Sequence, residues 1–153
     1  LPVGNIPVYT ANKEPILYIA RTNKDPILAS KDEPIISFAN DGDGSAGRNF
    51  VLHLEPFYIN ASRTAFKLID SNILPEYVLS QIFDMKEKYG FNYGFKANKN
   101  NLAVVTIEVP ISDDGNFDVV AQKQIAAKHS AIQQCKQEIS EKMNALLEQK
   151  INI

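Results

Sequence analysis

From residue 118 to the C-terminus the chain contains neither glycine nor proline, and Ile125, Ile132, Ile139, Leu146 and Ile153 recur at intervals of seven. With both helix breakers absent and Asp118 available as an N-cap, the segment is predicted to form one continuous helix. At about 1.5 Å per residue it would be on the order of 50 Å long, more than a small domain can cover. A core-facing helix repeats nearer 3.6 residues, whereas a repeat of seven asks for a coiled-coil partner. Cys135, Met143, Ala131 and Ala145 widen the apolar seam.

The remaining 117 residues must supply their own core. Hydrophobic residues make up 44% of the chain and charged residues 22%, enough for one packed domain. Eight Phe and six Tyr, with no Trp, provide much of its bulk. Up to residue 70, Pro, Asn, Asp and Gly punctuate short runs rich in β-formers: 16–19, 35–38, 50–54, 57–59 and 65–69. Residues 40–47 form a loop with three glycines. After Ser71 the period changes. Pro75 suits a first helical turn, and Val78, Leu79, Ile82 and Phe83 mark the core face of a helix ending near Gly90. Residues 91–101 read as a polar, aromatic and basic loop, 103–109 as a buried strand with Val104, Val105 and Ile107 in the core, and 113–116 as a turn.

Several functions are excluded or disfavoured. No apolar stretch approaches the roughly 20 residues of a membrane-spanning helix. Cys135 is the single cysteine, so there is no disulfide framework or cysteine zinc site, and a reducing, cytoplasmic setting is expected. The chain opens on Leu1 without a charged leader and apolar run, so it reads as a fragment or processed product with no secretory signal. His53 and His129 stand apart, and neither a zinc-protease, a serine-hydrolase nor a phosphate-loop motif occurs. Asp41 and Asp43 superficially resemble a calcium loop, but Leu52 stands where an EF-hand supplies its bidentate Glu, and a tight turn is the better reading. The net charge is −2; residues 1–118 carry −4 and residues 119–153 carry +2. Any nucleic-acid site is therefore a local patch on an acidic body.

The order of segments is more informative than any one of them. It runs from residues 4–9 (Gly-Asn-Ile-Pro-Val-Tyr) to the strand 34–39, the loop 43–47, residues 55–60 (Glu-Pro-Phe-Tyr-Ile-Asn) and a helix opening at Pro75. Residues 99–102, the strand-like 105–110 and the long helix from Asp118 complete it. This order resembles the DNA specificity subunits of type I restriction–modification systems: one target recognition domain followed by its spacer helix. The resemblance implies an α+β fold, with a strand-rich recognition domain at 1–117, short helices within it, and a long coiled-coil helix at 118–153. It also implies a subunit without catalysis or cofactor of its own. Such a subunit reads double-stranded DNA and docks a methyltransferase subunit and an ATP-dependent restriction subunit. Family members carry two recognition domains separated by two antiparallel helices. One domain and one helix thus imply half a subunit, completed as a homodimer through Ile125, Ile132, Ile139, Leu146 and Ile153.

Reading DNA requires side chains that bond base edges and cations that anchor phosphates. Loop residues of those types are Asn12 and Lys13, Arg21 and Lys24, Arg48 after the glycine loop, and Asn60 and Arg63. The richest stretch, 89–101, has no acid and holds Tyr93, Lys96, Asn98 and Lys99. Two other readings stay open: the recognition domain of a fused restriction–methylation enzyme, and a coiled-coil scaffold whose acidic head binds protein.

Overall fold

Alternating side chains on one short strand organise the head. In the computed structural model, which describes residues 3–151, Ile35–Ala39 (β3) is buried on both faces. Ile36 and Phe38 point into one core, with Val78, Ile82, Met85 and Phe91. Ile35 points into a second core, with Ala29 and Phe57. A strand buried on both sides reads in sequence as a near-continuous apolar run, interrupted here by Ser37, which is buried as a polar residue.

β3 is the middle of a three-stranded sheet, flanked by Arg48–His53 (β4) and Arg63–Lys67 (β6), both antiparallel to it. The β3–β6 register runs unbroken from Ile35 opposite Lys67 to Ala39 opposite Arg63, while the β3–β4 register shifts between Ser37 and Ala39. The second sheet comprises Leu17–Ile19 (β2), Val3–Tyr9 (β1) and Tyr58–Ile59 (β5), in the order β2-β1-β5. β2 is antiparallel to β1 and β5 parallel to it. A bulge sets both Val3 and Ile6 opposite Ile19; between them, a side chain at Gly4 would overlap the Ile19–Ala20 backbone, so only glycine fits.

The helical layer differs from the sequence expectation. Two helices, Pro75–Ile82 (α1) and Met85–Tyr89 (α2), replace a single one, and Gly90 closes the second with φ +73°. The break at Phe83-Asp84 lets Met85 turn into the first core. Phe83, expected in the core, is instead 44% exposed and lies against His129, with ring centroids 4.5 Å apart.

Residues 103–109 do not form a strand. A 3₁₀ turn covers Asn101–Val104, Val104 is 48% exposed, and an extended segment follows with no sheet partner. Its period of two is real: Val105 and Ile107 pack on the first core while Thr106 and Glu108 face out. Side chains replace the missing ladder. The Tyr77 hydroxyl donates to Glu108 O, and the Tyr89 hydroxyl accepts from Thr106 N–H at 3.2 Å.

The C-terminal helix is continuous over Val119–Ile151 (α3), 33 residues and about 50 Å long. Asp118 caps it, its carboxylate accepting the Ala121 N–H at 2.9 Å. Only the first turns touch the head. They pack on α1, and fully buried Gln122 accepts from Leu74 N–H and donates to Asn72 O, each at 2.8 Å. From residue 134 onward every described residue is exposed. Ile125, Ile132, Ile139 and Leu146 all lie open, Ile132 and Ile139 at 54%; Ile153 falls outside the described residues. No helix among the described residues is long and apolar enough to cross a membrane.

Candidate nucleic-acid interface

Strand direction gathers four loops at one end of the head. β1, β3 and β5 end there, and β4 and β6 begin there, so residues 10–13, 40–48, 60–62 and the 91–97 loop share a rim. Backbone bonds join the loops: Asn60 N–H to Tyr9 O (3.3 Å), Asn40 N–H to Ser62 O (3.0 Å) and Ala97 N–H to Asn40 O (2.9 Å). Among the described residues Asn49 is the non-glycine residue held at positive φ, +57°, and its side-chain amide donates to Ala11 O at 2.7 Å. That bond ties the start of β4 to the 10–13 loop.

Beneath the rim, between the two sheets, lies a buried polar cluster. The Arg63 guanidinium is 3% exposed and uses all its donors. Nε–H donates to Ser37 Oγ (2.7 Å), Nη1 to Thr10 O (2.9 Å) and Asn12 O (2.7 Å), and Nη2 to Asn49 O (2.6 Å) and Ser37 O (3.4 Å). No carboxylate joins it, and burial pulls its pKa down to about 10, leaving it charged at neutral pH. Ser37 Oγ lies 2.6 Å from His53 Nε2. The hydroxyl, which also accepts from Arg63, shares this bond with the imidazole through either its proton or its second lone pair. Burial, and secondarily the Arg63 charge, lower the His53 pKa to about 4. The ring stacks on Phe57 with centroids 3.5 Å apart and lies T-shaped to Tyr9 with centroids 4.8 Å apart.

This cluster corrects one sequence-based assignment. Arg63, expected to contact DNA, is enclosed with every N–H engaged; it fixes the positions of the 10–12 and 48–49 segments instead. Its sequence context, after Asn60 and Ser62, is that of a solvated turn, and only the packing of the two sheets encloses it.

The other expected residues fall into two places. Asn12, Lys13, Arg48, Asn60, Tyr93 and Lys96 lie along the rim, with Asn98 and Lys99 just past Ala97. Arg21 and Lys24 do not join it: their loop is anchored on the Tyr58 hydroxyl, which donates to Lys24 O at 2.8 Å, and Arg21 pairs with Asp25 at 2.5 Å. On the rim, Lys96 Nζ lies 2.6 Å from Asp41 Oδ2 and 5.6 Å from the Tyr93 ring centre. Tyr93 is 68% exposed, its N–H held by Asp43 Oδ1 at 3.1 Å. Arg48 pairs with Glu87 of α2. The Asn60 and Asn98 carboxamide oxygens accept local N–H groups. Among the described residues no ion pair involves Lys13 or Lys99. The rim thus offers amides, a hydroxylated aromatic ring and cations side by side, a mixture that can bond base edges and phosphates.

No protein-family model and no curated protein matches the chain. Among solved structures, the S subunit of a type I restriction-modification system from M. genitalium superposes with a TM-score of 0.59 at 18% identity, over 95% of this chain and 36% of that one. The head and its long helix therefore have the fold of part of an S subunit, and the chain spans about a third of that protein's length.

Proposed function

We propose that the chain reads a short DNA sequence as half of a type I specificity subunit, with no catalysis of its own. The observation that carries this reading is the stand-off of α3, which leaves the head through the Gln122 contact and exposes its apolar seam over the distal turns. An exposed row of isoleucines at seven-residue spacing is completed by a second helix. The seam is also symmetric about Ile139, since Ile125 and Ile153 lie equally far from it, as do Ile132 and Leu146. An antiparallel pair centred there would bring all of these residues together. Residues 1–117 then act as the recognition domain and 118–153 as the spacer, holding two heads apart along a duplex. The S-subunit fold further supports docking of methyltransferase and restriction subunits on this assembly.

Twofold pairing has a sequence-level signature. Duplexes selected by the protein from a random pool are expected to contain one short word twice, inverted, at constant spacing. Selection of a single unrepeated word, or of no word, would refute the paired reading head.

A further inference from the structure

Two ion pairs cross the rim, and each occupies a cation that a phosphate would attract. Asp41 is held in place for this: Oδ1 accepts the Gly42 N–H at 2.7 Å, its carbonyl accepts the Ser45 hydroxyl at 2.6 Å, and Oδ2 faces Lys96. Lys96 sits between that carboxylate and the Tyr93 ring. On the other side of the glycine loop, Glu87 holds Arg48 from α2. Both pairs are open to solvent, where such pairs contribute little to folding. Their larger effect is on the field at the rim. A cation leaving its carboxylate for a phosphate leaves that carboxylate beside the same phosphate, and the repulsion penalises any duplex that offers backbone charge alone.

We propose that Asp41 and Glu87 are specificity-determining residues that hold Lys96 and Arg48 away from the phosphates of arbitrary DNA. Release occurs on a sequence whose base edges also bond the rim, so discrimination comes from weakened non-specific binding as well as from target contacts. The proposal rests on the DNA-reading function above.

The full chain and a random-sequence duplex of roughly 40 bp test it without knowledge of the target. Affinity is followed by fluorescence anisotropy between roughly 50 and 200 mM salt, where phosphate contacts register as a slope of about 0.9 per cation. The variant Asp41→Asn with Glu87→Gln is expected to bind at least about tenfold more tightly at low salt, with a slope steeper by up to about 2. Asp32→Asn with Glu33→Gln makes the same change in net charge at the opposite end of β3 and is expected to change little. Adding Lys96→Ala and Arg48→Ala to the first variant should abolish its gain. Glu87→Gln alone, which leaves the Asp41 loop bonds intact, should show about half the increase in slope. Equal binding by wild type and the first variant, or an equal gain in the control, overturns the proposal while leaving DNA reading standing. Failure of every protein to bind duplex at low salt overturns DNA reading and this inference together.

Discussion

His53 takes its properties from three neighbours. Phe57 covers its face, Tyr9 stands nearly perpendicular to it, and Ser37 shares the hydrogen bond at Nε2. Its pKa of about 4 lies below the ordinary value of 6.5, so the folded protein holds the neutral ring while the unfolded chain takes up a proton. The associated stability is complete above about pH 6.5 and is lost as the pH falls from there to about 4. A loss on the order of 2 kcal/mol is expected across this window, measured as the urea midpoint at successive pH values. His53→Gln, which keeps an acceptor for Ser37, should flatten the profile; an unchanged profile would show that the imidazole is not its source. Neither His53 nor Arg63 is identifiable from sequence as part of a buried cluster. Ser37, His53 and Arg63 come from three strands, and their proximity exists only once β4, β3 and β6 are in register.

The elements differ in how much of their form is local. α3 is legible in sequence because its capping Asp118, its lack of Gly and Pro, and its seven-residue seam are all short-range features. α1 and α2 are less so. One apolar face runs through 78–83, and the break at Phe83-Asp84 follows from Met85 being drawn into the first core while α3 receives Phe83. Residues 105–109 alternate like a strand, but strands are defined by partners, and here the tyrosines of α1 and α2 satisfy the backbone instead. At this scale the decisive test is the seam. Ile132→Asp with Ile139→Asp should convert the proposed dimer to monomers in sedimentation equilibrium while the head keeps its near-ultraviolet circular dichroism. Both side chains are exposed and distant from the Gln122 anchor, so the head loses no packing. A mass unchanged by the substitutions would exclude this seam as the interface.

Over the whole molecule, charge distribution decides what the head can do. The rim lies on an acidic body, Lys96 and Arg48 are already paired, and Lys13 and Lys99 have no ion pair among the described residues. Among the cations named on the rim, those two lysines could meet a phosphate without exchanging a partner. Lys13→Ala with Lys99→Ala should weaken DNA binding by roughly tenfold at low salt and flatten the salt slope by about 1 to 2, across all sequences alike. Unchanged slopes would move the phosphate contacts elsewhere on the head. The 89–101 loop stands out in composition as basic and amide-rich, and it does reach the rim. Asp41, which restrains it through Lys96, and Glu87, which holds Arg48, lie 55 and 39 residues from their partners, beyond the reach of any local pattern.

Sequence alone determined the long helix, its seam, the strand-rich head and the loop types, because helix propensity, hydrophobic period and turn chemistry act between residues close in the chain. Tertiary structure decided which cations are free, which arginine is enclosed, where the second helix begins and which loops share an edge. Each of those outcomes depends on contacts between distant segments, and such contacts arise only when two sheets and a helical layer close over β3.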